Sequence, residues 1–284
     1  MAQTATQEEL RRQRNLARIK RFKLLDDTFF NSCFDGYPQG MELLLRIIQG
    51  RDDLQIVEMV TQNTVPNLYG REVRFDVFAK DSQGTAYDFE VQRNDAGAVP
   101  LRARYNSSLL DAMEVQKSTN WKDLPKTCVI FITEHDVLQG NQPIYHIRRK
   151  IEEMNNSTFH DNADIIYVNA AHQADDALGR LMHDFHCTNA DDMYYPELAQ
   201  RVKFYKTNDK GVSKMCEIMN EVLNEGRAEG RAEGRAEGER NMEMTIVKRM
   251  LLKHKPLIEI IDAVDWSRER VIAFAKENNI PITE

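Results

Sequence analysis

The chain has 284 residues, of which 42% are hydrophobic and 29% charged, and a formal net charge of −7. That length can bury a full core, and the balance fits one large globular domain with an appendage. An acidic chain is no electropositive glove for nucleic acid, so any such contact must come from a local basic patch or through metal ions.

Residues 7–23 are charged and free of Pro and Gly, which predicts an exposed helix or arm over 1–21. Its run from Arg11 and Arg12 through Arg14, Arg18, Lys20, Arg21 and Lys23 is a candidate basic patch, although a solvated helical face is the commoner reason for such a run. Phe22, Leu25, Phe29 and Phe30 recur at helical spacing before the turn Asp35-Gly36-Tyr37-Pro38. Met41, Leu44, Leu45, Ile47 and Ile48 make a broad apolar stripe and predict a helix over Gln39–Gln49. Strands are expected at Leu54–Val60, Val73–Ala79 and Ala86–Gln92, the first two joined by a polar stretch around Pro66–Gly70. A helix follows over Leu101–Val115. The continuous apolar run Thr127–Ile132 reads as a strand covered on both faces, Ile144–Arg148 as an edge strand and Asp164–Val168 as another buried strand. Helices are expected over Asp175–Phe185 and Glu197–Tyr205. The order predicts an α/β core with a mixed central sheet flanked by helices.

From Glu225 the motif Glu-Gly-Arg-Ala repeats with a period of four residues. Interior glycines cost a helix about 1 kcal/mol each against Ala, so residues 208–240 read as a marginal helix or a linker. A small-residue seam for homo-oligomerisation is the alternative. Residues 241–284 predict a small helical appendage, with helices over Met242–Leu252, Pro256–Ala263 and Trp266–Lys276. It has the size of a helix-turn-helix reader, but Glu259, Asp262 and Asp265 are poorly suited to DNA.

The chemistry-bearing stretch is Phe75–Gln92. Two apolar segments meet at Asp81-Ser82-Gln83-Gly84, as in a hairpin. One carries Asp76 and the other Glu90. Paired strands lie about 5 Å apart, so carboxylates at matching heights could share a divalent cation. Gln92 lies two residues past Glu90 and shares its face. A hard ion such as magnesium takes oxygen ligands and keeps several waters, so two carboxylates suffice, with the Val91 carbonyl as a third oxygen. Gln92 would orient a water whose pKa the ion lowers. Glu42, on the preceding helix, is a candidate acid from a second side. Against this stands the ordinary exposed strand carboxylate. Asp88 shares the face of Glu90 and Gln92 and is a competing ligand.

The segment Val73–Ala79, the hairpin into Tyr87–Gln92 and the helix Arg102-Ala103-Arg104-Tyr105-Asn106-Ser107-Ser108-Leu109-Leu110 resemble the PD-(D/E)XK nuclease family transposases, also called the recombination-promoting nuclease (Rpn) family. Their order is Asp on one strand, Glu-x-Gln on the next and an Arg-x-x-Tyr helix after it. Phe29-Phe30, the segment Leu43–Ile48 and the Glu-Gly-Arg-Ala tail also fit that family. The resemblance implies a restriction-endonuclease-like core over 22–207, dependence on Mg2+ with Mn2+ as a possible substitute, and endonuclease cleavage of DNA linked to recombination or transposition. Carried over by motif, Asp76 and Glu90 are metal ligands and, with Gln92, catalytic residues. Arg102 and Tyr105 are candidate DNA contacts, and Glu42 a candidate first-helix acid. Gln92 stands where the superfamily name has Lys, and an amide cannot supply that positive charge. A weak or inactive nuclease-fold module that binds DNA or protein and oligomerises through its tail is therefore the competing expectation.

Other chemistries find no support. There is no phosphate-binding Gly-x-x-x-x-Gly-Lys-Ser/Thr loop, no Gly-x-Ser-x-Gly turn and no His-Glu-x-x-His. His183 and His186 lie three apart on an expected helix and could hold a metal, although packing is the commoner role. Cys33, Cys128, Cys187 and Cys216 form no Cys-x-x-Cys pair, so neither common zinc spacing nor a disulfide framework is expected. The polar N-terminus, the absence of a roughly 20-residue apolar run and the idle thiols predict a cytoplasmic protein with no membrane contact.

Overall fold

The computed structural model describes residues 7–65, 73–115 and 118–283. The Pro66–Gly70 turn expected from the sequence lies outside the described residues. The chain divides into two compact units, Met1–Ile218 and Met219–Glu284.

In the first unit the helices α1 (Gln7–Ile19), α2 (Asp27–Phe34) and α3 (Pro38–Gln49) precede the sheet. Pro38 opens α3, where its missing N–H costs nothing, and Gly50 closes it at φ +63°. Met41, Leu44, Leu45 and Ile48 are the buried stripe of α3. Phe29, Phe30 and Phe34 are buried on α2, with the Phe30 and Phe34 rings 4.5 Å apart.

Six strands form a mixed sheet in the order β1-β2-β3-β4-β8-β5. They are β1 (Ile56–Val65), β2 (Val73–Asp81), β3 (Ala86–Gln92), β4 (Thr127–Thr133), β5 (Ile144–Ile147) and β8 (Ala163–Asn169). The short β6 (Lys150–Ile151) and β7 (Ser157–Thr158) pair separately. β1, β2 and β3 are antiparallel neighbours, β3, β4 and β8 are parallel, and β5 returns antiparallel on β8. All seven residues of β4 are buried, as its unbroken apolar run requires. β1 extends to Val65, beyond the expected Val60, through the polar Thr61-Gln62-Asn63-Thr64. As an edge strand with mostly exposed or half-buried residues, it tolerates a polar sequence that pairing with β2 orders.

The helix α4 (Pro100–Glu114) packs on β3, β4 and β8. Its Ala103, Leu109 and Leu110 join Phe78, Val129, Phe131 and Tyr167 in one buried cluster. Helices α5 (Ala177–His186) and α6 (Pro196–Thr207) complete the unit. The expected mixed sheet with flanking helices is the architecture found.

The repeat segment lies within α7 (Asp209–Leu252), a continuous helix. Gly226, Gly230, Gly234 and Gly238 face open space, so an added Cβ would meet nothing. Replacing all four with Ala is expected to raise the melting temperature followed by far-UV circular dichroism, with helix propensity contributing about 1 kcal/mol per site. A lower melting temperature would reveal a close helix contact at the small residues.

In the second unit the end of α7 packs with α8 (Leu257–Val264) and α9 (Arg268–Glu277) around Val247, Leu251, Ile260, Trp266 and Val271. The Trp266 indole donates to Glu243 at 2.7 Å, Arg270 stacks on its ring at 3.8 Å, and Ser267 caps α9. No helix among the described residues is long and apolar enough to cross a membrane.

Candidate active site

The hairpin turn forms because Asp81 organises it. Its Oδ1 accepts the N–H of Gln83 and of Thr85, its Oδ2 accepts the Tyr87 hydroxyl, and Gly84 takes φ +81°. This sets the register. Val77 faces Phe89 and Phe78 faces Asp88, so each pair sums to 166 and Asp76 falls opposite Glu90.

The strand is irregular at that height. From Glu58 onward the β1–β2 pairs sum to 138, which places Gln62 opposite Asp76, and Gln62 adopts φ +52°. A left-handed glutamine inside a strand is uncommon and costs about 1 kcal/mol or more. The Asp76 carboxylate accepts the Val91 N–H at 3.0 Å and a hydrogen bond from Asn31 of α2.

Glu90 is fully buried. Its Oε2 accepts Arg102 Nη2 at 2.7 Å and Gln92 Nε2 at 3.3 Å, and its Oε1 accepts Asn106 Nδ2 at 3.3 Å. Asn106 also donates to Asp88 Oδ2 at 3.0 Å, and Asp88 is fully buried too. Arg102 and Asn106 lie one helical turn apart on α4, so both reach β3. Arg102 is held in turn by the Gly97 carbonyl at 2.9 Å, and the Tyr167 hydroxyl pins the neighbouring Ala98 carbonyl at 2.8 Å.

Three acids in so dry a place are electrostatically unfavourable as anions. Burial, then the charge of Asp76, pushes Glu90 up to about 8. Burial pushes Asp76 up to about 6, against the Val91 N–H and with help from Asp27 on α2. Asp88 is raised well above the usual carboxylate range by burial and by Glu90. Its Oδ1 is buried with no hydrogen-bond partner. An all-oxygen donor set with raised acids and an orphaned oxygen fits a hard divalent cation, whose charge would reverse each of these shifts.

Residues 41–178 match the family model described as PD-(D/E)XK nuclease family transposase. This stretch is a PD-(D/E)XK nuclease family transposase domain. No curated protein and no solved structure matches the chain.

The PD-(D/E)XK domain thus brings Asp76, Glu90, Gln92 and Arg102 together. It does not bring Glu42 to them. The Glu42 carboxylate accepts the Ile56 N–H at 2.9 Å and Arg46 at 3.4 Å. Ile56 pairs with Asp81, five residues along β2 from Asp76 and so roughly 16 Å away. Tyr105 packs half-buried against the apolar cluster under α4. Arg102, expected as a phosphate contact, is engaged by Glu90. Sequence reasoning gave no role to Asn106, whose only signal is its spacing of four from Arg102. It also missed Asn31 and Asp27, which come from α2, outside the matched stretch.

Gly97 sets the pose of Gln92. A Cβ there would stand 2.2 Å from Gln92 Oε1 and 3.5 Å from Arg102 Nη1. Gly97→Ala is expected to displace the Gln92 amide and destabilise the fold by about 1–3 kcal/mol, read as a lower urea midpoint. An unchanged midpoint would mean that Gln92 simply swings away.

Proposed function

We propose that the chain is a metal-dependent DNA endonuclease hydrolysing phosphodiester bonds, associated with DNA recombination or transposition. The observation that carries the reading is the juxtaposition of Asp76 and Glu90, two acids with raised pKa values, beside the Gln92 amide in a domain of this family. Asp76 and Glu90 would hold Mg2+ or Mn2+, and Asp27 stands near enough to Asp76 to add an outer acid. When bound, the ion supplies Lewis-acid charge that offsets the charge of the phosphodiester in the transition state. Gln92, fixed between Glu90 and Gly97, orients a water or a phosphate oxygen. Asn106 and Arg102 position the Glu90 carboxylate. The protein is read as cytoplasmic, with DNA as partner.

The Arg102–Glu90 ion pair favours a second reading. A guanidinium on Glu90 Oε2 occupies an oxygen that a metal would need, and Gln92 brings no charge. On this reading the domain is a weak or inactive nuclease-fold module that binds DNA or protein and assembles through its C-terminal helices.

Supercoiled plasmid incubated with and without Mg2+ or Mn2+ separates the two. Metal-dependent nicking that disappears in Asp76→Ala supports the nuclease. Titration calorimetry showing no ion binding, together with intact plasmid, supports the module.

A further inference from the structure

A second cluster of ligand atoms lies at the C-terminal end of α5 and shares no residue with the carboxylate site. His183 and Cys187 are four residues apart, one turn on the same side of the chain. Asp184 is fully buried beside them. His183 Nδ1 stands 3.5 Å from Cys187 Sγ and 3.4 Å from Asp184 Oδ1, and all three ligand atoms lie within 4.8 Å of one another.

These distances have a specific meaning. Zinc bonds of about 2.3 Å to sulfur, 2.05 Å to nitrogen and 2.1 Å to oxygen give tetrahedral edges of about 3.6 Å for S···N and about 3.4 Å for N···O. The two separations given above lie within about 0.1 Å of those edges. We infer that His183, Asp184 and Cys187 form a zinc site at the C-terminal end of α5.

The surroundings suit such a site. Asp184 accepts the N–H of Tyr194 at 2.7 Å on Oδ1 and of Tyr195 at 2.9 Å on Oδ2, which fixes the carboxylate and leaves a lone pair on each oxygen. Outer hydrogen bonds of this kind orient metal-binding carboxylates. The Tyr194 ring meets the His183 ring edge-on at 4.8 Å and sets its plane. Asp184 also lies in the last turn of α5, at the negative end of the helix dipole, where a cation offsets a cost that the acid otherwise bears. Thiolate and imidazole select zinc over magnesium, the opposite preference to the all-oxygen cluster. The His183 side chain is 35% exposed, so water has access to complete the coordination. Binding releases the Cys187 thiol proton to water. The competing arrangement is purely hydrogen-bonded, with His183 donating to Asp184 and the thiol reaching the Asp192 carbonyl at 3.8 Å.

The two are separated by loading the full chain with Zn2+, removing excess by gel filtration and measuring metal by mass spectrometry. One zinc per chain is expected. Cys187→Ser and His183→Gln should each lose it, with unchanged far-UV circular dichroism. Glu90→Gln and Cys216→Ser should keep it. With Co2+ in place of zinc, the parent should show thiolate-to-cobalt charge transfer and tetrahedral ligand-field bands, both absent from Cys187→Ser. A chelator should lower the melting temperature of the parent and leave that of Cys187→Ser unmoved. Zinc retained by both variants, or a parent without zinc and without the cobalt bands, overturns the site. Either result leaves the nuclease reading untouched, because nicking is assigned to Asp76 and Glu90.

Discussion

Glu90→Gln is expected to abolish metal-dependent nicking while making the metal-free protein more stable at pH 8.5. Glutamine keeps the size of the side chain and an acceptor for Arg102, and it removes one negative charge from a fully buried position. A bound metal ion contributes several kcal/mol of charge stabilisation, and each ~1.4 kcal/mol is tenfold in rate, so a loss of at least ~100-fold is expected. The same change removes the repulsion that Glu90 shares with Asp76 and Asp88. Residues kept for chemistry commonly cost stability, so the melting temperature should rise by a few degrees. A Glu90 retained only as the partner of Arg102 would behave oppositely, since its neutralisation would strand the guanidinium. Plasmid nicking and a thermal scan at pH 8.5 distinguish these cases. A variant that nicks at the parental rate removes Glu90 from the catalytic set.

The metal-free protein should lose stability as pH rises from about 5 to 8.5, and saturating Mg2+ or Mn2+ should cancel most of that loss. The sign follows from the raised acids. In the unfolded chain Asp and Glu release protons near pH 4. In the folded chain Asp76 holds its proton to about 6 and Glu90 to about 8. Between those limits the native state binds more protons than the unfolded state, so unfolding free energy falls with pH. The contribution is complete below about pH 4 and is lost as pH passes through 6 and then 8. For Asp76 alone this is on the order of 3 kcal/mol, or several degrees of melting temperature in a domain of this size. A cation between the acids favours their charged forms and reverses the slope. Thermal scans across this range, with and without the metal, measure both effects. A flat metal-free profile would mean that the three acids are solvated and the site is not primed for a cation. The Asp76→Asn variant should show a shallower slope below about pH 6, and because Asp76's charge helps raise Glu90, the loss due to Glu90 should end at a lower pH than in the parent.

Local patterns in the chain carried much of the fold. β4 is recognisable because its seven buried residues include the continuous apolar run Cys128–Ile132. The hairpin is recognisable because Asp81 and Gly84 meet the demands of its turn. β1 was underread because an edge strand sheds the apolar alternation that marks a half-buried one, and β6 and β7 are too short to have a period. From sequence the repeat segment reads as either helix or linker because four glycines set propensity against continuity, whereas the structure runs one helix through them.

The candidate site divides along the same line. Asp76, Glu90 and Gln92 were legible because strand alternation and hairpin register are local, so sequence spacing becomes spatial adjacency without knowledge of the rest of the molecule. Glu42, the weakest of the candidates because it comes from a separate helix, is directed elsewhere, since its carboxylate caps the start of β1 at the far end of β2. The left-handed Gln62 opposite Asp76, the Arg102–Glu90 pair, the Asn106 bridge and Asn31 from α2 all belong to tertiary structure. So does the meeting of His183, Asp184 and the 194–195 backbone. Each depends on how separate elements cross, and crossing is decided by burying apolar faces such as Phe30, Leu110 and Phe131, which carry no trace of the polar atoms they bring together. The sequence by itself determined which acids share a face. Only the packed structure decided that they are raised in pKa, with Glu90 and Asp88 fully buried and held by Asn106, Glu90 also by Arg102, and Asp76 by Asn31 and the Val91 N–H, because desolvation depends on everything that surrounds a group and not on its neighbours in the chain.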